Sequence, residues 1–267
     1  MAADRCRPLA GRVSLVTGGD RGIGRAVALR LASMGSDVVI TYRRGEAEAR
    51  EVVERIKSMG VRAAAVRADL SDLSEAREVV ARAREALGPV SVLVSNAGVG
   101  YAQPFEATSD ELLVRQVNVD LASAFIVARE AVKDMLSLGW GRVVFVSSVA
   151  GLSGLEYLSA YSAAKAALVG LARSMAAELA PRNITVNVVA PAFVGTRLGL
   201  SYFEWLERER GVKGALERYL SRVPPRRLVT EDEVAAVVAF LASPDASGVS
   251  GAVIVVDAGA TSGLGLG

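Results

Sequence analysis

Tyr161 and Lys165 stand four residues apart, and Ser148 stands thirteen residues before Tyr161, in a chain of 267 residues that contains no histidine. With the commonest acid–base side chain missing, a phenol becomes the candidate proton donor. Residues four apart share a helix face, so Tyr161 and Lys165 would present a hydroxyl and an ammonium to one small volume. A free tyrosine ionises near pH ~10. A cation a few ångströms away favours the phenolate, so Lys165 is expected to draw the Tyr161 pKa down towards the range of efficient proton exchange with an alcohol or carbonyl. By itself Tyr-x-x-x-Lys is common on helices that do no chemistry, and Ser-Ser after a strand is common too. The elements that would position these groups decide the meaning.

Those elements alternate along the whole chain. Short runs at 13–17, 37–41, 63–68, 90–95, 142–147, 185–189 and 252–256 are mostly rich in valine or isoleucine and apolar on both faces, as strands of a parallel sheet buried between helical layers must be. Helix-period stretches lie between them at 22–34, 46–59, 72–87, 109–138, 160–180 and 231–242. Repeated strand–helix–strand units with right-handed crossovers imply an α/β fold: a doubly wound Rossmann-type parallel sheet of about seven strands with helices on both faces. Ligands of such sheets bind at the carboxyl ends of the strands. At the first such end stands Thr17-Gly18-Gly19-Asp20-Arg21-Gly22-Ile23-Gly24, whose glycines would let backbone amides approach a pyrophosphate at a helix N-terminus. Its spacing differs from G-x-G-x-x-G, and a glycine turn alone is weak evidence; its place at the first crossover is what points to a nucleotide.

Composition removes other classes of function. No apolar run approaches the roughly 18 residues of a membrane span, and residues 1–10 lack the apolar core of a signal peptide, so a soluble, cytoplasmic protein is expected. Cys6 is the single cysteine, which leaves no intrachain disulfide, and with no histidine a transition-metal site is not expected. A net charge of +2, with arginines scattered along the chain, offers nothing to nucleic acid. No linker divides the sequence, so residues 1–267 are read as one domain, with the first ten residues and the Gly-rich tail from Thr261 peripheral. Arginine far outnumbers lysine and amides are scarce, which fits either a hot habitat or a GC-rich genome.

With these pieces in place, the chain resembles the short-chain dehydrogenase/reductase family over nearly its whole length. The resemblance is carried by the T-G-x-x-x-G-I-G turn, Asp69 after the third strand, Asn96-Ala97-Gly98 after the fourth, Asn118, Ser148, and Tyr161 with Lys165, in the family's order and spacing. It implies that a carbonyl carbon takes up hydride from a nicotinamide while Tyr161 protonates the oxygen and Ser148, rather than Ser147, steadies it. It implies that Lys165 also holds the nicotinamide ribose and that Asn118 supports a water relaying protons to Lys165. Cofactor contacts are implied at Thr17, Gly18, Asp20, Arg21, Gly22, Ile23, Gly24, Asp69, Leu70, Asn96, Ala97, Gly98, Tyr161, Lys165, Pro191, Val194 and Thr196. Where the family usually has Pro-Gly, this chain has Pro191-Ala192, which questions the local backbone path because alanine tolerates positive φ poorly.

The stretch after the second strand reads Tyr42-Arg43-Arg44, with no acidic side chain of the kind that holds an NAD ribose. Arg21, opposed by the helix dipole, is easier to understand beside an anion. Arg43 and Arg21 therefore point to the 2′-phosphate of NADP (NADPH), with Arg44 a solvated bystander. A substrate lid is expected near 198–228, its aromatics Tyr202, Phe203 and Trp205 packing it onto the body. Small and apolar residues on several faces of the 109–138 and 160–180 helices predict a homotetramer. The general appearance is that of a 3-oxoacyl-thioester (acyl-carrier-protein) reductase, for which Arg182 and Arg142 are the nearby cations considered. Sugar, polyol, steroid-like and xenobiotic carbonyls stay open, and a non-catalytic nucleotide-binding regulator is the competing class, distinguished by failure to oxidise NADPH.

Overall fold

A computed structural model describes residues 7–262; Cys6 and residues 263–267 lie outside it. The strands are β1 (Val13–Val16), β2 (Asp37–Tyr42), β3 (Ala63–Arg67), β4 (Val92–Ser95), β5 (Gly141–Val146), β6 (Ile184–Pro191) and β7 (Val253–Val256), each ending within two residues of its expected bounds. They form one sheet in the order β3-β2-β1-β4-β5-β6-β7, every pair parallel. The helices are α1 (Gly22–Ser33), α2 (Glu46–Lys57), α3 (Leu73–Leu87), α4 (Asp110–Val117), α5 (Ser123–Leu138), α6 (Ala150–Ser153), α7 (Ser159–Leu179), α8 (Arg197–Arg210), α9 (Ala215–Leu220) and α10 (Glu231–Ala242).

The doubly apolar strands feed two cores. In β5, Val143 and Phe145 pack with Leu168 of α7 and Met135 of α5, while Val144 and Val146 pack with Val238 and Leu241 of α10. Helices α3, α5 and α7 thus cover one face and α1, α2 and α10 the other, as strands with period-two side chains and no polar face require. The chain order reverses between β1 and β4, which opens a crevice at their carboxyl ends.

Three expectations change. The 109–138 helix is two helices joined by a π-helical turn at Asn118–Ala122, where the Ser123 N–H donates to the Asn118 carbonyl five residues back. Leu9 is fully buried in the α1/α2 core, and Thr261 is tied to Asp257 through its N–H and hydroxyl, so neither end is loose from the residue the sequence suggested. Ala192 is absent from the residues with positive φ, so alanine follows proline there without strain.

Candidate active site

The carboxyl ends of the strands open into a cleft of about 1530 Å³. At one end, α1 begins at Gly22 after an extended Arg21; no side chain caps it and no carboxylate occupies its first turn. Its leading N–H groups therefore open on the cleft with the positive end of the helix dipole, which fits the pyrophosphate of a dinucleotide. Gly24 is needed for packing, since a β-carbon there would stand 2.1 Å from the Gly18 carbonyl oxygen. Thr17 is buried and does not line the cleft. Its Oγ1 accepts from the Asn96 and Ala97 N–H groups at 2.9 and 3.0 Å, and the Asn96 side chain donates back to the Thr17 carbonyl at 2.9 Å. These two residues hold the glycine turn against the Asn96–Gly98 loop. Gly18, Asp20, Arg21, Gly22, Ile23, Asp69, Leu70, Asn96, Ala97 and Gly98 line the cleft itself. The Asp69 carboxylate accepts from the Ser71 N–H and hydroxyl at 3.0 and 2.7 Å; burial opposes its charge, but these bonds and Arg43 hold its pKa below the usual carboxylate range.

Arg21, Arg43 and Arg44 all face this end, Arg44 included. They are not alone there. The Arg21 Nε donates to the buried Asp20 carboxylate at 3.0 Å, and a β-carbon on Gly45 would lie 2.6 Å from Asp20 Oδ2 and 3.1 Å from Glu48 Oε2. The stretch Tyr42-Arg43-Arg44 carries no carboxylate, yet Asp20 reaches it across the fold and Glu48 from the first turn of α2 just after it.

At the other end, Ser148, Tyr161 and Lys165 converge. Tyr161 and Lys165 share one face of α7, the Lys165 Nζ lying 5.6 Å from the Tyr161 ring centre. Ser147 is spent on structure: its buried hydroxyl donates to the Lys165 carbonyl at 2.8 Å, which leaves Ser148 facing the cleft with its Oγ accepting from the Ala150 N–H at 3.1 Å. Lys165 is buried, donates to the Val146 carbonyl at 3.1 Å and meets the Asp120 carboxylate at 3.2 Å. Burial disfavours the ammonium, but Asp120, with Tyr161, more than restores it and its pKa is raised. Burial likewise pushes the Tyr161 phenol up. Lys165 and a hydrogen bond with Ser148 pull in the expected direction, but Asp120 opposes them, and the net shift is upward. The expected acidification of Tyr161 is thus corrected: Lys165 arrives with its charge already matched.

Asn118 is not at this cleft. It lines a separate shallow depression with Ser71, Asp110, Glu111, Val114 and Arg115. Residues two apart on a helix point to nearly opposite sides, so Asn118 and Asp120 cannot both face Lys165, and the π turn selects Asp120. The carboxylate is buried and accepts from the Val99 N–H at 3.3 Å and from the side chain of Gln116. Gly98 makes room for the pair, since a β-carbon there would stand 2.5 Å from Asp120 Oδ1 and 3.2 Å from Lys165 Nζ. The signal available in the sequence was an aspartate in an otherwise apolar run, Val119-Asp120-Leu121-Ala122.

Pro191, Val194 and Thr196 border the cleft, and Thr196 caps α8, its Oγ1 accepting from the Gly199 N–H at 3.1 Å while its own proton stays free to donate. Tyr202 and Phe203 of α8 are buried against Phe193 and Tyr219, with ring centres 4.6 Å apart for Phe193 and Phe203. These aromatics anchor the segment, as expected; Trp205 and Leu198 line the cleft. Arg142 and Arg182 stand at the opposite, amino edge of the sheet, and Arg142 is buried, so neither cation reaches the cleft mouth.

A doubly wound sheet with a phosphate-fitting helix start at one end of its cleft and a serine, tyrosine and lysine at the other defines a dinucleotide-binding oxidoreductase. The model of the short chain dehydrogenase family matches residues 12–207, and the chain belongs to that family. It is 39% identical to the 3-oxoacyl-[acyl-carrier-protein] reductase MabA of Mycobacterium tuberculosis, over 94% of each chain. It is 37% identical to the 3-oxoacyl-[acyl-carrier-protein] reductase FabG of Aquifex aeolicus, over 94% of this chain and 98% of the relative. A short chain dehydrogenase from Burkholderia cenocepacia, solved in complex with NADP, superposes with a TM-score of 0.86 at 34% identity, covering 96% of this chain and all (100%) of that one.

Proposed function

We propose that this protein is an NADP-dependent oxidoreductase that interconverts a carbonyl and a secondary alcohol, with a 3-oxoacyl thioester as substrate. The observation that carries this reading is the arrangement of one continuous cleft, with Arg21 and Arg43 at its nucleotide end and the hydroxyls of Ser148 and Tyr161 at the other. When bound, the nicotinamide supplies the hydride. Tyr161 gives its phenolic proton to the carbonyl oxygen, Ser148 donates a hydrogen bond to the same oxygen, and Lys165 keeps one N–H for the ribose beyond those it gives to Val146 and Asp120. Leu155, Leu158, Leu198 and Trp205 line the substrate side and favour an apolar acyl chain. The thioester assignment is further supported by the likeness to 3-oxoacyl reductases. The test is NADPH oxidation across β-ketoacyl thioesters, diketones, aldoses and cyclic ketones. Thioesters should show the highest kcat/KM; a higher value for an aldose would overturn the substrate, and no turnover with any would overturn the enzyme.

In the same reading the chain is one domain, with α8 and α9 as its substrate lid. It works in the cytoplasm, where NADPH is regenerated; among the described residues no helix is long and apolar enough to cross a membrane. It assembles as a homotetramer. Leu113, Val114, Phe125 and Leu136 are exposed on α4 and α5, and Phe240 of α10 and Val255 of the edge strand β7 are exposed as well, so apolar surface on more than one element asks for cover. Light scattering at micromolar concentration should give four chains per particle.

A further inference from the structure

The buried partner of Lys165 has no place in the mechanism above. Every hydrogen-bonding group that meets the Asp120 side chain is a donor: the Lys165 ammonium, the Val99 N–H and the Gln116 amide nitrogen. Burial raises the Asp120 pKa, and Lys165 first, then the Val99 N–H and Gln116, oppose that rise and favour the carboxylate. A buried ammonium 3.2 Å from a buried carboxylate is nearly neutral when felt from outside the pair. Tyr161 is the group that feels it. The titratable groups facing this cluster are Tyr161 and Lys165 from α7 and Asp120 from the π turn; Gln116 from α4, Val99 from the loop after β4 and Val146 and Ser148 from the end of β5 complete it without adding charge.

We propose that Asp120 is a positioning residue that cancels the field of Lys165 and so keeps Tyr161 a phenol, biasing the site towards carbonyl reduction. The proposal rests on Tyr161 as the proton donor. In reduction the Tyr161 O–H bond breaks, its proton joins the carbonyl oxygen as the carbon gains hydride, and solvent returns one proton to the phenolate. In oxidation the phenolate must be present first. A phenol that resists ionisation favours the first direction at neutral pH and confines the second to alkaline solution. The upward displacement of the Tyr161 pKa, caused first by burial, opposed by Lys165 and the Ser148 hydrogen bond and supported by Asp120, agrees with this.

Asp120→Asn leaves Lys165 unmatched, which favours the phenolate; the alkaline fall in the reductive rate and the alkaline rise in the oxidative rate should both move to lower pH, by about one unit or more. A lysine that simply lost its proton would show no phenolate. The protein is therefore also titrated with 13C-labelled tyrosine Cζ, the Tyr161 resonance being assigned by its loss in Tyr161→Phe. In the wild type Tyr161 should ionise above an ordinary tyrosine, and in Asp120→Asn below its wild-type midpoint. Wild-type ionisation below the ordinary value overturns the proposal even if the variant does not fold, as does an unchanged midpoint in a folded Asp120→Asn. Full activity of Tyr161→Phe would instead remove the proton donor itself, so the two failures are distinct.

Discussion

Two buried cations stand at the two ends of β5 and are held in opposite ways. At the carboxyl end the Lys165 ammonium donates to the carbonyl of Val146 and pairs with Asp120, beside Tyr161. At the amino end the Arg142 guanidinium, 1% exposed, pairs with no carboxylate among the described residues. It donates to the carbonyls of Gly141, Asn183 and Ser243 and lies 4.4 Å from the centre of Trp140, whose ring also carries Arg12 at 4.0 Å. Burial and Arg12 both lower the Arg142 pKa, yet a guanidinium starts so high that it keeps its proton, and carbonyls cannot titrate. One end is therefore fixed in charge at all working pH values. The other sets a phenol that exchanges its proton beside a matched ammonium–carboxylate pair. The difference lies in the partner and the cation type rather than in burial, and it separates a structural clasp from a site that can do acid–base work.

Variants should split along this line. The largest effect is expected for Tyr161→Phe, which keeps the ring and removes the hydroxyl: turnover should fall ~10²–10⁴-fold while thermal unfolding and NADPH binding stay near wild type. Steady-state kinetics beside calorimetry decide it, and retention of more than a tenth of the activity would remove Tyr161 from its role. Arg142→Met should do the reverse. It strips three carbonyls of a donor and should cost about 2–4 kcal/mol of stability by urea unfolding, with kcat/KM unchanged in the folded fraction. A comparable loss of kcat/KM there would break the comparison.

Smaller effects sharpen it at the nucleotide end, where charge is again paired but exposed. Replacing Arg21 and Arg43 by alanine should remove most of a preference for NADPH over NADH of on the order of a hundredfold, since each charge-assisted bond to a phosphate contributes ~1.5–3 kcal/mol. Equal wild-type dissociation constants would refute the phosphate assignment. The smallest change is expected for Asp20→Asn. It frees Arg21 from a half-exposed pair, so NADPH should bind about two- to fivefold tighter with NADH little changed. Weaker NADPH binding would mean that Asp20 orients Arg21 rather than competing for it.

Much of this was decided locally and is visible in the sequence. Strands apolar on both faces admit only a covered parallel sheet, the glycine turn must follow the first of them, and i, i+4 spacing places Tyr161 and Lys165 together on any helix. Ser148 could be chosen over Ser147 through the family resemblance, by its interval of thirteen residues before Tyr161. What escaped was set by contacts between distant segments. Whether Asn118 or Asp120 faces Lys165 depends on a π turn that shifts helical phase within an unbroken apolar pattern, and periodicity read at 3.6 residues does not register it. The upward pKa of Tyr161 required knowing that the phenol is buried and that Asp120, 45 residues before Lys165 in the chain, matches that lysine. Arg142 reads as a surface cation until Trp140 and three carbonyls close over it, and Asp20 reaches the segment after β2 only across the fold. Backbone preference and hydrophobic period are properties of neighbours along the chain; charge compensation belongs to neighbours in space, and only the tertiary structure decides which those are.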